Sequence, residues 1–172
     1  MKIYPGQAKA ISRDLIDRLI DEELVEVDGE FKAEAEADLE SILREYIRTE
    51  REINDEAREM TRERGLGNAA FGRIKRRLAK DRDFGIGDEA IDWLIAQLIE
   101  ILMHSANIEE VFGEDRDLAV SINKTLKLHA NIETELDREV RGKLKNLEEG
   151  SNAWDIEYER ALDALKRNKG LV

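Results

Sequence analysis

Apolar side chains recur at steps of three and four along most of this chain of 172 residues, which is the spacing of one face of an α-helix. The chain has one proline, Pro5, and only six Val and four Thr, so little of it favours β-strands. The pattern therefore predicts an all-α fold. Its clearest run of apolar positions is Leu39, Leu43, Tyr46, Ile53, Ala57 and Met60.

Helix-terminating and helix-capping residues divide the pattern into about six to seven helices. We expect these helices to pack as a bundle. The predicted helices lie at about residues 8–27, 32–64, 71–78, 89–105 and 115–146, and from about 152 to 170. The fourth is apolar around most of its circumference, so we expect it at the centre of the core. The segment from Asn107 to Glu110 is typical of a capping box that opens a short turn. The spacing leaves open whether the long helices, 32–64 and 115–146, are broken near Thr49 and Asn131.

The two halves of the chain align with each other at an offset of 79 residues. The apolar positions that coincide include Leu15, Ile16, Leu19 and Ile20 with Leu94, Ile95, Leu98 and Ile99 and, beyond the loop, Leu39, Leu43 and Ile53 with Leu118, Ile122 and Ile132. One offset that holds across a loop favours an internal duplication over chance agreement between amphipathic helices. We therefore expect two related helical copies, 1–86 and 87–172, in one compact pseudo-symmetric unit.

The composition excludes several classes of site. Without cysteine, the chain forms no disulfide, thiolate metal site or cysteine nucleophile. It has two histidines and no Glu-x-x-His pair, so we expect neither a metal nor another cofactor. Its 28 basic and 40 acidic residues give a net charge of -12, which argues against general binding to a phosphate backbone.

Membrane insertion is not expected. Charges at Asp92, Glu100 and Glu109 interrupt the most apolar segment, and the uncharged runs between them are far shorter than the ~20 residues that cross a bilayer. The N-terminal residues 1–6 contain no apolar signal core. These features indicate a cytoplasmic protein.

Two sequence motifs and the duplicated helix pair resemble the bacterial domain-of-unknown-function family 507 over nearly the whole chain. The motifs are Ile74-Lys75-Arg76-Arg77-Leu78-Ala79-Lys80 and the cluster Glu149-Gly150-Ser151 followed by Trp154-Asp155 and Tyr158. Ala153 stands where this family is expected to have an acidic residue. The resemblance implies a bacterial, intracellular, mainly helical protein whose biochemical role is unassigned.

A basic run is the sharpest electrostatic feature of this acidic chain. It places six positive charges within ten residues, at Arg73, Lys75, Arg76, Arg77, Lys80 and Arg82. Such a cluster suits RNA, an acidic protein or an anionic lipid surface. The alternative is a solvated face that neighbouring carboxylates neutralise, or one that docks the two halves.

Two further pairs are candidates for function. Glu50 interrupts the apolar face of the second helix, and the 79-residue offset places it on His129. We hypothesise that the two form a polar pair near the pseudo-twofold axis, and the alternative is a chance alignment. Trp154 and Tyr158 lie four residues apart on the last helix, where they either stack on a partner or anchor that helix to the core.

No motif of nucleophilic or acid–base catalysis accompanies these features. We therefore predict a non-enzymatic protein-protein interaction or scaffold module that self-associates or binds a partner through its long helices. The alternative is an RNA- or ribosome-associated factor that uses the basic run, residues 73–82.

Overall fold

The computed structural model describes residues 2–65, 67–148 and 151–172, apart from the side chains of Asn68, Glu133 and Asp155. It confirms the predicted all-α helical bundle. Among the described residues, no helix is both long and apolar enough to cross a membrane. The elements, in chain order, are a 3-10 turn (Pro5–Gln7), α1 (Ala8–Asp21), β1 (Val25–Glu26), α2 (Lys32–Glu63), α3 (Asn68–Asp81), a second 3-10 turn (Gly87–Glu89), α4 (Ala90–His104), β2 (Glu110–Val111), α5 (Asp115–Ala130), α6 (Ile132–Lys143) and α7 (Asn152–Asn168).

A small antiparallel ribbon, which the apolar periodicity did not predict, lies where α1 and α4 end. Val25 pairs with Val111, and Glu26 pairs with Glu110. Each strand continues after a short loop into the next helix, so α2 and α5 begin at the same end of the molecule. The ribbon therefore ties the two helical hairpins, α1–α2 and α4–α5, to each other.

Two local predictions at this ribbon were wrong. The first helix ends at Asp21 rather than near residue 27, because Glu23 adopts a left-handed conformation with a φ of 55° and the chain turns into β1. Asn107 does not cap a helix, because the following residues enter β2. Its side-chain amide instead donates to the Asp38 carboxylate at 2.9 Å, and the Ser105 hydroxyl donates to the same oxygen at 2.5 Å.

The sequence left open whether the two long predicted helices are continuous, and the structure shows that one is continuous and the other is broken. α2 is continuous through Thr49 and spans about 48 Å at ~1.5 Å per residue. The other is broken at Asn131 into α5 and α6. The exposed face of α2 has ion pairs at helical spacing, including Arg44 with Glu40 at 2.6 Å, and such pairs support an extended helix.

The main core lies between α1, α2, α4 and α5. The apolar face of α2 is used here, since Leu39, Leu43, Tyr46, Ile53 and Ala57 are fully buried. α4 contributes Leu94, Leu98 and Leu102 to the same cluster. α4 therefore packs in the main core through this face, as the sequence predicts, whereas Met103 on the same helix is 47% exposed.

A smaller cluster joins the two ends of the chain to α6. It consists of Tyr4, Leu136, Val140, Leu165 and Leu171. The Gly6 N–H donates to the carbonyl oxygen of Leu171 at 3.1 Å, and a Cβ on Gly6 would lie 1.7 Å from the carbonyl oxygen of Gly170. Only glycine permits this close approach at residue 6.

The internal duplication and the division at residues 86 and 87 stay predictions. Each half begins with a helix and continues through a strand into a long helix or helix pair and a final helix. The strands do not follow the offset, because a shift of 79 places β1 at residues 104 and 105, whereas β2 begins at Glu110.

Candidate functional site

The surface around the ribbon carries most of the net charge of the molecule. Residues 21–31 and 109–117, which we call the ribbon end, hold eleven acidic side chains and one basic side chain. Their net charge of -10 compares with -12 for the whole chain. The charge of the whole chain does not reveal this concentration, which appears only when residues that the fold brings together are counted as one surface.

Two aromatic side chains are exposed at the ribbon end. Phe31 is 48% exposed and Phe112 is 56% exposed, whereas the other two phenylalanines, Phe71 and Phe84, are partly or fully buried. The backbone beneath Phe112 is held in place, because its N–H donates to the carbonyl oxygen of Leu24 at 2.9 Å. The ribbon end is therefore an ordered acidic surface that presents two phenyl rings.

The basic run lies on α3 and the residue after it, and α3 packs on the C-terminal half of α2. Part of its charge is neutralised within the chain. The Lys75 ammonium lies 3.5 Å from the Glu50 carboxylate, and Arg82 is hydrogen-bonded to Glu56. Arg77 lies 3.8 Å from Asp81 of its own helix. These three cations help to hold α3 in place or balance its charge.

The other three cations of the run project into solvent. Arg73, Arg76 and Lys80 are exposed, and none of them forms an ion pair within the described part of the chain. They are therefore the members of the basic run that remain available to an external anionic group.

An open cleft of about 940 Å³ separates α3 from the start of α4. Its α3 wall carries Lys75, Arg76 and Lys80. The opposite wall, formed by the turn before α4 and by the first turn of α4, carries acidic side chains. These are Asp88, Glu89 and Asp92, and Asp83 lies nearby at the end of α3. Among the described residues, no ion pair joins the two walls.

The Phe84 and Trp93 rings form the floor of the cleft, and both pack against the buried Tyr46 ring. The Phe84 ring lies 4.8 Å from the Trp93 ring and 4.9 Å from the buried Tyr46 ring. The Trp93 indole N–H donates to the carbonyl oxygen of Asp83 at 2.8 Å, which fixes the orientation of that ring. A Cβ on Gly85 would lie 2.4 Å from the Cβ of Trp93, so this glycine permits the close packing that sets the cleft.

Tyr46 has an unusual environment beneath this floor. It is fully buried, and its hydroxyl has no hydrogen-bond partner among the described residues. Burial, with a smaller contribution from the Glu50 charge, raises the pKa of Tyr46 well above its usual range. The phenol therefore stays neutral and acts in packing.

The proposed polar pair is replaced by two separate contacts. Glu50 pairs with Lys75 of α3, whereas the His129 Nε2 lies 2.9 Å from the Asp14 carboxylate of α1. The carbonyl oxygen of His129 also accepts a hydrogen bond from the Gln7 side chain at 3.2 Å. Glu50 therefore links α2 to α3, and His129 links α5 to α1. The structure describes both residues and shows no contact between Glu50 and His129.

Trp154 and Tyr158 lie on α7 and contact α6. Their rings stack at 4.8 Å, and the Arg141 guanidinium lies 5.4 Å from the Trp154 ring. The Tyr158 hydroxyl donates to Asp137 at 2.7 Å, which lowers the pKa of that carboxyl and raises the pKa of Tyr158 to about 12. These contacts connect the terminal helix to α6.

The structure describes only part of the C-terminal motif. The Ser151 hydroxyl accepts a hydrogen bond from the Trp154 N–H at 3.2 Å and so caps α7. Glu149 and Gly150 lie outside the described residues, as does the side chain of Asp155.

No group of three or more potential metal ligands occurs among the residues that the structure describes. The molecule is thus defined by its surfaces: an acidic aromatic end, a basic helix and a cleft with walls of opposite charge. It is a helical-bundle protein with a short connecting ribbon.

The family described as "Protein of unknown function (DUF507)" matches residues 1–171, and the chain belongs to this family. No curated protein matches it.

Proposed function

We propose that the protein is a non-enzymatic interaction or scaffold module that binds a protein partner at the ribbon end. The observation that carries this proposal is the exposure of Phe31 and Phe112 on an ordered, acidic surface. Exposed aromatic side chains are typical anchors of protein interfaces, where most of the binding energy comes from a few such residues. The surrounding charge favours a partner with a cationic surface.

The structure narrows which helical faces are available to that partner. The apolar positions of α2 from Leu39 to Ala57 belong to the core of the chain itself. A partner therefore cannot use them unless the bundle opens, although the periodicity had indicated them as an interface. The exposed aromatic side chains of the ribbon end provide the alternative.

An affinity capture with matched variants tests this function. The bait is the full chain, incubated with a lysate of its host at low and high salt, with and without nuclease. A variant with Phe31→Ser and Phe112→Ser removes the anchors, and Leu128→Ser removes an apolar side chain that is 65% exposed on α5, away from the ribbon. We expect a nuclease-resistant partner that the wild type and Leu128→Ser retain and the double variant loses. Identical recovery from all three baits would refute the proposal.

RNA binding is the second candidate, supported by the exposed α3 cations Arg73, Arg76 and Lys80, which form no ion pair within the described residues. Contacts to phosphate make affinity fall steeply with salt, because bound counterions are released. Fluorescence anisotropy with labelled polyuridine should show such salt-dependent binding, and Arg76→Glu with Lys80→Glu should abolish it while helicity by circular dichroism is retained. Unchanged binding by that variant would remove the basic run as the RNA contact.

A further inference from the structure

The cleft between α3 and α4 has the features of a second binding site, separate from the ribbon end. Its two walls carry charges of opposite sign, yet within the described residues they form no ion pair with each other. The wall cations Arg76 and Lys80 and the wall anions Asp88 and Asp92 are exposed. Each wall therefore retains charge that an occupant can pair with.

The packing of the floor holds these walls apart. Trp93 is fixed by its hydrogen bond to Asp83 and by its contact with Phe84, and Gly85 allows the close approach that this contact requires. An apolar side chain of an occupant can rest against the partly exposed Trp93 ring, which packs on the buried Phe84 ring. Aromatic contacts of this kind add about 0.5–1.5 kcal/mol beyond the area that they bury.

We propose that this cleft binds a polypeptide segment that carries both acidic and basic side chains around an apolar residue. The acidic side chains of the segment pair with Arg76 and Lys80, and its basic side chains pair with Asp88 and Asp92. The volume of about 940 Å³ lies at the upper end of small-ligand pockets, ~300–1,000 Å³, and the cleft is open rather than enclosed. The open shape favours a chain segment, because small-molecule sites usually bury most of the surface of their ligand.

The charges of the cleft also discriminate between partners. The α3 wall attracts phosphate groups, but the acidic wall repels them across the same space. A uniformly acidic or uniformly basic segment satisfies one wall and opposes the other. The mixed segment is the one that complements both walls, and like-charge contacts at an interface cost enough to exclude its competitors.

Trp93 provides a direct readout of occupancy. The chain has two tryptophans, so the Trp154→Phe variant leaves Trp93, at the floor of the cleft, as the single fluorophore. The probes are three synthetic peptides with the same central Leu and Phe residues. One has flanking Glu and Lys, one has only Lys, and one has only Glu. We expect the mixed peptide to change Trp93 emission saturably and to bind about tenfold more tightly than either of the others, since each of those opposes one wall.

Charge reversal on each wall makes the test specific. With Arg76→Glu and Lys80→Glu, the all-Lys peptide should become the tightest ligand. With Asp88→Lys and Asp92→Lys, the all-Glu peptide should become the tightest ligand. All four positions are exposed, and circular dichroism checks that each variant retains its helices. An unchanged order of the three peptides in both variants would overturn the proposal, as would no saturable response to the mixed peptide.

Three further outcomes would each reassign the cleft. If the dipeptide Lys-Glu produces the full response at lower concentration than the mixed peptide, the occupant is a small zwitterion. If polyuridine displaces the mixed peptide and gives the same response, the occupant is RNA. If Trp93 emission changes with protein concentration alone, the occupant is a second copy of this chain. The Phe31→Ser and Phe112→Ser variant leaves the cleft unaltered, so failure at one surface does not imply failure at the other.

Discussion

Removing the Tyr46 hydroxyl should stabilise the protein, which is opposite to the usual effect of a Tyr→Phe change in a core. The hydroxyl is fully buried without a hydrogen-bond partner in the described part of the chain, and an unsatisfied buried polar group costs ~1–3 kcal/mol. Phenylalanine retains the ring that lies 4.9 Å from Phe84 and 5.8 Å from Trp93. We therefore expect Tyr46→Phe to raise the free energy of unfolding by about 1 kcal/mol, near the low end of that cost.

The matched control is the same chemical change at Tyr158. That hydroxyl donates to the Asp137 carboxylate at 2.7 Å, so Tyr158→Phe should lower the free energy of unfolding. Urea unfolding followed by circular dichroism measures both variants. In thermal unfolding, a change of 1 kcal/mol in a domain of this size shifts Tm by about 2–4 °C. If Tyr46→Phe destabilises the protein as much as Tyr158→Phe does, the Tyr46 hydroxyl is bonded and the reasoning fails.

Three further perturbations test other parts of the structure. Gly85→Ala should destabilise the fold by about 1–3 kcal/mol, because its Cβ meets the adjacent indole side chain. In the control Gly142→Ala, which has nothing within 4 Å of the new Cβ, urea unfolding should show no loss. Asp38→Ala should cost about 1.5–3 kcal/mol, since its carboxylate accepts two hydrogen bonds from the loop before β2, and a loss below 0.5 kcal/mol would contradict this contact. The hydrogen bond from Tyr158 lowers the pKa of Asp137, so this carboxylate contributes stability above its unfolded pKa and loses it as the pH falls through the folded value. Wild-type stability should therefore fall more steeply at acid pH than that of Asp137→Asn, and equal slopes would contradict the shift.

The helices could be predicted because each buries one continuous face with a regular period. The ribbon could not be predicted from that period, because two-residue strands are too short to show alternation and Val25 follows a helical pattern closely. Ion pairs on the exposed face of α2 support its continuity near Thr49, and the apolar pattern does not report them. The break at Asn131 was one of two alternatives that the spacing left open.

The candidate sites were predictable only in part. The basic run can be recognised in the amino-acid sequence. Tertiary packing, however, decides which of its cations are paired, as the contact between Lys75 and Glu50 shows. The offset of 79 suggested that Glu50 and His129 meet, whereas each position takes its partner from the helix that packs against it. The cleft and the ribbon end combine segments far apart in sequence, so their charges became informative only with the fold.

Site-specific photocrosslinking in living cells tests the central claim most directly. A photoreactive phenylalanine analogue replaces Phe112 in the full chain, and in a second strain it replaces Leu128. The interaction-module account predicts a defined protein, rich in Lys and Arg at its contact surface, that is crosslinked from position 112 and not from position 128. Equal crosslinking from both positions, or none from position 112, would contradict the account.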